Sequence, residues 1–248
     1  MILERVGEVA VLRMRAGKAN AIGPAFLEAL GGMLDGLGDA RAAVLVGYEN
    51  FFSAGLDLPA LLSLGRAEMG AFIDAFAASM LRVFELPIPV VAAVNGHAVA
   101  GGCVLALQAD VRVMADKECR IGLNEVQLGI GLPPVVMETL RCQVPAASLL
   151  PIALEGKLFA PREAVHIGLV HEVVPADWLE PRALQKAREL AELPAAAFRQ
   201  VKSALRAQVA AAARRGPASE VWVSTWFSPG GQERLRAAAE KLTAKARR

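Results

Sequence analysis

The sequence predicts an α/β fold in which strand, turn and helix follow one another repeatedly, and in which a helical region ends the chain. Short apolar strands precede glycine-bearing turns, amphipathic helices separate them, and the pattern beyond about residue 145 is almost wholly helical. Of 248 residues, 54% are hydrophobic and 21% charged, and no Ser/Gly/Pro-rich linker divides them. We expect one domain, with a core over 1–190 and a helical region over 191–248.

Each element has its own signal. Residues 1–14 alternate like a strand hairpin around Gly7. Helices are predicted where apolar residues recur at helical spacing: 24–37 behind a first-turn proline, 67–86 before PIP, and VVMETL at 135–140. Strands are predicted where short apolar runs are bounded by turn residues: 42–47, 90–94, 111–115, 119–122 and 169–174.

Two glycine-bearing turns, FFSAGLDL at 51–58 and NGHAVAGG at 95–102, follow the first two of these buried strands. AGGCVLAL at 100–107 then starts a helix, so its first N–H groups lack intrahelical partners. Side by side, the two turns could each aim one N–H at a carbonyl oxygen that gains negative charge, which is an oxyanion hole. For either turn alone, tight turning or close helix packing is the preferred explanation of the glycines.

Composition excludes several classes of function. Lys and Arg number 27 against 25 Asp and Glu, and the one basic run, KARR at 245–248, lies at the chain end, so no nucleic-acid partner is expected. Cys103, Cys119 and Cys142 show no CxxC spacing, which predicts no disulfide framework, no metal site and a cytoplasmic location. No leader peptide and no membrane-length apolar run is recognised, so we expect a soluble protein without a membrane partner.

Three motifs carry a resemblance to a known family: FFSAGLDL (51–58), PIPVVAAVNGHAVAGGCVLAL (87–107) and RIGLNEVQLGIGLPP (120–134). Together they resemble the enoyl-CoA hydratase/isomerase superfamily, and the likeness extends through 158–175 and more loosely through the tail. The resemblance implies the crotonase fold, a spiral of repeated β-β-α units with a C-terminal helical region. It also implies an acyl-CoA thioester substrate, no cofactor beyond the coenzyme A of that substrate, and a homotrimer or a hexamer built as a dimer of trimers.

The resemblance assigns backbone roles to the two turns. Leu56 and Gly101 stand where the family places its oxyanion-hole amides. Ala54 stands where a main-chain carbonyl holds the adenine of coenzyme A, and Lys18 where basic residues approach its phosphates. Three neighbouring residues are assigned to the same coenzyme-binding set: Ala19, Asp57 and Leu58. Asp57 is also expected to form a structural hydrogen bond near the turn.

Hydratases that resemble this sequence carry two catalytic glutamates, and here the two positions hold Val104 and Glu125. One carboxylate suffices for a proton shuttle, because Glu125 could take a proton from C2 of a 3-enoyl thioester and return it to C4. Apolar neighbours are expected to raise its pKa: Val104, Val126, Leu128 and Ile130. Since GLNE with AGGC plus an aliphatic residue resembles Δ3,Δ2-enoyl-CoA isomerases of mitochondrial type, the prediction is an isomerase of fatty acyl-CoA metabolism.

The acyl pocket is predicted more loosely. Its candidate residues are Val104, Leu128, His97, Trp222 and Trp226. The two tryptophans either pack on the core or on another subunit, or they bound the acyl chain. The helical region is expected to cover the acyl pocket of its own subunit or of a neighbouring one. Alternative functions are weak hydration through Glu125, another thioester-enolate reaction such as hydrolysis or decarboxylation, and non-catalytic acyl-CoA binding. An RNA-associated role has no support in the charge distribution.

Overall fold

The computed structural model describes residues 1–17, 19–214 and 218–246. In this part of the chain the strands are β1 (Ile2–Val6), β2 (Val9–Arg13), β3 (Ala42–Val46), β4 (Phe51–Ser53), β5 (Val90–Val94), β6 (His97–Val99), β7 (Val111–Asp116), β8 (Ile121–Gly122) and β9 (Glu172–Pro175). The helices are α1 (Pro24–Asp35), α2 (Leu58–Leu61), α3 (Arg66–Phe84), α4 (Gly101–Leu107), α5 (Pro134–Gln143), α6 (Pro161–His166), α7 (Leu179–Ala191), α8 (Ala195–Ala213), α9 (Ala218–Trp226) and α10 (Pro229–Ala246). A 3₁₀ turn at Glu125–Leu128 and a π-helical turn at Leu150–Leu154 complete the regular structure used below.

Most predicted elements are confirmed. The N-terminal hairpin is β1 and β2, and the two long predicted helices are α1 and α3, with ends within two residues of the expected ones. The strand predicted at 169–174 begins later, as β9 at Glu172. Its predicted first residue, Leu169, instead gives its carbonyl to the buried Arg112 guanidinium, with Nε to O at 2.8 Å.

The larger sheet has the strand order β1-β2-β3-β5-β7-β9, in which β1 and β2 are antiparallel and the other neighbours are parallel. Its central strands are buried on both faces. On β3, Ala43 and Leu45 join the main core, whereas Val44 packs on the opposite side with Ala183 of α7. Such strands must be apolar at every position, which explains why β3 and β5 read as uninterrupted apolar runs.

A second, smaller sheet lies beyond the first and consists of β4, β6 and β8, all parallel. Each follows a strand of the larger sheet after a bend. At two bends glycine is required, because a Cβ on Gly47 would lie 2.1 Å from the Phe51 carbonyl oxygen and one on Gly96 would lie 2.1 Å from that of Asn50. The segments 51–58 and 95–102, predicted as glycine-bearing turns, also contain the short strands β4 and β6, which were missed because three residues are too few to show a period.

The helical region beyond residue 191 packs on the core of the same chain. Helix α8 lies along α5, α9 along α3, and α10 against both α2 and the 125–128 turn. An ion-pair cluster fastens α8 at the start of β7, where the Asp110 carboxylate lies 2.7 Å from Lys202 Nζ and 2.8 Å from Arg206 Nη2. No helix in the described residues is long and apolar enough to cross a membrane.

Candidate active site

Three turns meet at one edge of the smaller sheet. Because β4, β6 and β8 are parallel and adjacent, their carboxyl ends face the same way. The segments that leave this edge are 54–56 after β4, 100–101 after β6 and 123–125 after β8. The structure therefore brings together Leu56, Gly101 and Glu125, the three residues to which the sequence assigns catalytic roles.

The Leu56 amide points away from Ile22, the residue with which Leu56 pairs. Leu56 forms a parallel bridge with Ile22, in which Ile22 N donates to the Gly55 carbonyl at 2.7 Å and Asp57 N donates to the Ile22 carbonyl at 3.0 Å. In a parallel bridge the flanking residues carry these bonds, so the N–H of Leu56 itself faces the other side. Among the described residues it donates no hydrogen bond. Gly55 makes this turn possible with a φ of +90°, which favours glycine.

The Gly101 amide opens α4 beside that turn. Ala100 donates its N–H to the Gly122 carbonyl at 2.9 Å and has a φ of 50°, an uncommon conformation for alanine that often marks a functional site. As the first residue of α4, Gly101 has no intrahelical acceptor for its own N–H. A Cβ on Gly101 would lie 3.6 Å from Gly55 Cα, so the two turns touch.

Glycine is required at the next position. A Cβ on Gly102 would lie 2.2 Å from the Ser53 carbonyl oxygen, so only glycine, which has no Cβ, fits at this position. The close approach of α4 to the end of β4 therefore depends on this residue. It lets the turns that carry Leu56 and Gly101 lie in contact, which an oxyanion hole built from their two amides would require.

Glu125 supplies the carboxylate at this edge. Its side chain is buried, with 7% of the residue exposed, and its Oε2 atom has no hydrogen-bond partner in the described chain. Burial raises its pKa to about 7. Burial also raises the pKa of Cys103, in the first turn of α4, and the nearby Glu125 carboxylate raises it further. Glu125 thus lies next to the start of α4 as a carboxyl group able to gain and lose a proton near neutral pH.

The surroundings of Glu125 agree with the predicted apolar set except at one position. Val104 and Ile130 are buried and Leu128 is half-buried, but Val126 is 44% exposed. A 3₁₀ turn has about three residues per turn, so Val126 points away from Glu125, and it lies against Gly156 instead. The expectation that Val126 desolvates the carboxylate is therefore wrong.

Two neighbouring side chains with buried, unsatisfied polar atoms lie at this edge. Four buried side-chain atoms in the described chain lack a partner, and two of them belong to consecutive residues of the candidate site, Asn124 Oδ1 and Glu125 Oε2. A third, Trp226 Nε1, lies on α9. Buried polar groups in folded proteins are almost always hydrogen-bonded, so orphans gathered in one region indicate a place that water or a ligand completes.

The predicted coenzyme-binding residues of the described chain lie in two adjoining places, Ala19 ahead of α1 and the other three at or after the turn that follows β4. Ala54 donates its N–H to the Ala19 carbonyl at 2.9 Å. Asp57 caps α2, accepting from Ala60 N at 3.3 Å, and Leu58 begins that helix as a buried core residue. Lys18 lies outside the described residues.

One important residue ahead of α1 was missed. Asn20 is fully buried, and its amide accepts from Ala16 N at 2.7 Å and donates to the Met14 and Phe52 carbonyls. It thereby ties Met14 and Ala16 to Phe52 of β4. The only local signal is an asparagine with apolar neighbours, and its partner on β4 lies 32 residues away in sequence.

The predicted acyl-pocket residues divide into two groups. His97 begins β6, at the opposite edge from the three turns, where its Nδ1 accepts from Arg120 N at 3.2 Å. The structure thus does not bring His97 to the site. Trp222 and Trp226 are buried with ring centroids 5.3 Å apart, and Trp222 Nε1 donates to the Gly131 carbonyl at 2.9 Å. These tryptophans cover the segment that follows Glu125 in their own chain.

Comparisons with known proteins find a matching family model, similar sequences and a similar solved structure. The family model described as enoyl-CoA hydratase/isomerase matches residues 4–242. The human mitochondrial enoyl-CoA delta isomerase 1 is 32% identical over 204 residues, covering 80% of this chain and 67% of that protein. A putative enoyl-CoA hydratase from Thermus thermophilus is 37% identical over 201 residues, covering 77% and 76%. The crystal structure of human mitochondrial delta3-delta2-enoyl-CoA isomerase superposes with a TM-score of 0.92 at 30% identity, covering 98% of each chain.

Proposed function

The chain belongs to the enoyl-CoA hydratase/isomerase family, and we propose that it converts 3-enoyl-CoA to trans-2-enoyl-CoA with Glu125 as its single acid/base. The observation that carries the proposal is a single buried carboxylate, together with a buried apolar residue at the position of the second glutamate. Among the described residues Glu125 is the only buried aspartate or glutamate, and Val104 on α4 is buried and apolar. A hydratase needs a further group to activate water, and α4 offers none there.

The proposed reaction balances within the substrate. Glu125, ionised, takes a proton from C2 of the thioester, and the electrons of that C–H bond move into the conjugated dienolate. The amides of Leu56 and Gly101 stabilise the negative thioester oxygen. Protonated Glu125 then gives the proton to C4, so that the double bond moves from C3–C4 to C2–C3. A carboxyl pKa of about 7 suits both steps, because the group is a competent base and, once protonated, a competent acid.

The coenzyme A moiety is assigned to the segment joined by the Ala54–Ala19 hydrogen bond. In this proposal the Ala54 carbonyl holds the adenine and Lys18 approaches the phosphates. Trp222, Trp226, Val104 and Leu128 bound the acyl chain, with α9 closing the site of its own chain. The absence of a metal or redox cofactor and the cytoplasmic location stay predictions of the sequence.

Hydration is the second candidate, because a putative hydratase is as similar to this chain as the human isomerase. The experiment that separates them gives the purified protein 3-hexenoyl-CoA and, separately, trans-2-hexenoyl-CoA, and identifies products by mass and retention. We expect the first to become its 2-enoyl isomer without a change in mass, and this activity to disappear in Glu125→Gln. Glu155→Gln, which alters an exposed glutamate beside the same turn, is expected to retain it.

Two other results would redirect the assignment. A product heavier by one water would make the protein a hydratase and remove the argument from Val104. Acyl-CoA binding without turnover, unchanged in Glu125→Gln, would make it a non-catalytic binder.

We also propose that copies of the chain assemble as a trimer or a dimer of trimers. Large apolar side chains are exposed on two different elements, with Leu205 of α8 71% and Leu154 of the π-helical turn 72% exposed. Head-to-tail contacts between different surfaces form a closed ring when the rotation between copies closes. Sedimentation equilibrium is expected to give three or six chains for the wild type and smaller species for Leu205→Glu. A monomeric wild type would contradict this.

A further inference from the structure

A cavity of about 340 Å³ lies between α8 and the segment that follows α3. Arg199, Lys202 and Arg206, three cations of α8, line it together with the Ser203 hydroxyl. It lies away from the candidate active site, because Arg206 binds the Gln108 carbonyl beyond the C-terminal end of α4, whereas Gly101 begins that helix. The seven residues of α4 separate the two places by about 10 Å.

Positive charge at this cavity exceeds negative charge. Lys202 and Arg206 are 7% and 6% exposed, and among the described residues Asp110 is the one carboxylate that pairs with either. Behind them, the buried Arg112 guanidinium has carbonyl and amide oxygens as partners and no carboxylate in the described chain. Three buried cations therefore share one anion, although buried charges are normally matched.

The described residues at the rim of this cavity supply no free negative charge to match the buried cations. Glu85 also lines the cavity, but both of its oxygens accept from Arg214. Arg199 is exposed at the cavity and forms no ion pair within the described residues. Burial lowers the pKa of Lys202 to about 8 although Asp110 raises it, as expected where a cation lacks a full countercharge.

Donors remain for a ligand. Lys202 has three N–H groups and uses two, for the Ile88 carbonyl and Asp110. Arg206 has five and uses three, for the carbonyls of Phe84 and Gln108 and for Asp110. The spare donors, with Arg199, suit an oxygen-rich anion, because guanidinium and ammonium groups bind phosphate oxygens with charge-assisted hydrogen bonds.

We propose that this cavity binds a phosphate group, either free or carried by a nucleotide, through Lys202, Arg206 and Arg199. An adjoining cavity of about 310 Å³ shares Arg199 and Pro87 with it and has Ile88, Leu190 and Phe198 in its wall. That space could hold the nonpolar part of a larger phosphorylated ligand.

The test is titration of the full-length protein with inorganic phosphate and, separately, with AMP, by calorimetry and thermal unfolding against chloride at matched ionic strength. We expect saturable binding that stabilises the protein. Arg199→Gln is expected to weaken it roughly tenfold, the loss of one charge-assisted hydrogen bond. Arg162→Gln, a matched change at an exposed arginine paired with Asp116, is expected to leave it unchanged.

Tighter binding of AMP than of phosphate would identify a nucleotide as the ligand, and equal binding would identify the phosphate group alone. The proposal is overturned if neither ligand exceeds chloride, or if the two arginine variants lose affinity equally. Because Arg199 lies outside the candidate active site and its variant is judged by binding, this outcome is independent of the proposed isomerase.

Discussion

Glu125→Gln is expected to stabilise the protein above neutral pH. Burial raises the pKa of Glu125 from its ordinary 4.5 to about 7. Between these values the unfolded chain has released the proton and the folded chain keeps it, so the free energy of unfolding falls as pH rises through this window. Because each pKa unit corresponds to about 1.36 kcal/mol, the rise from 4.5 to about 7 corresponds to a loss of about 3 kcal/mol.

The variant cannot lose a proton there, so its stability relative to the wild type should increase by about 3 kcal/mol between pH 4.5 and 8. Urea unfolding of both proteins, at one protein concentration and several pH values, measures this difference in the free energy of unfolding. Because all other titrating groups are common to both proteins, their contributions drop out of the difference. A difference that stays constant over the range, or that decreases with rising pH, would refute the burial of an ionisable carboxylate at this edge.

Three further predictions follow from the same geometry. The pH profile of kcat/KM should fall as pH drops below about 7, because Glu125 must be ionised to accept the proton, and a profile flat from pH 5 to 8 would contradict this. Gly102→Ala should lower kcat by roughly 100-fold, since its Cβ would lie 2.2 Å from the Ser53 carbonyl and separate the two turns. Gly32→Ala, with nothing within 4 Å of the new methyl group, is its control, and equal activity of both variants would contradict the role of the close approach. Asp110→Asn should destabilise the chain by about 3 kcal/mol or more in urea, because two buried cations lose their anionic partner, and a loss below about 1 kcal/mol would argue against the cluster.

Motifs with a local physical cause could be predicted from the sequence. The start of α4 at Gly101 could be predicted from the glycine-bearing turn that leads into it, and the buried strands from their apolar runs. Glu125 could be singled out because the family resemblance fixes its place after two recognised turns. The sequence did not reveal that a separate three-stranded sheet carries those turns, because β4 and β6 are only three residues long.

Features that depend on tertiary contacts could not be predicted from local sequence patterns. Asn20 becomes important only when Phe52 is folded against it. His97 is two residues from the Val99 end of β6, yet it lies at the wrong edge because the strand direction separates it from the turns. Val126 was expected to face its neighbour Glu125, but the 3₁₀ geometry turns it outward.

The most direct test of the single-carboxylate mechanism follows deuterium through one turnover. 3-Hexenoyl-CoA deuterated at C2 is converted in ordinary water with enzyme in excess, and the product is analysed for label at C4. Because Glu125 is only 7% exposed, exchange of its proton with solvent is slowed during a single turnover, and we predict that part of the deuterium arrives at C4. A product without deuterium at C4, or one heavier by a molecule of water, would contradict a proton shuttle by Glu125.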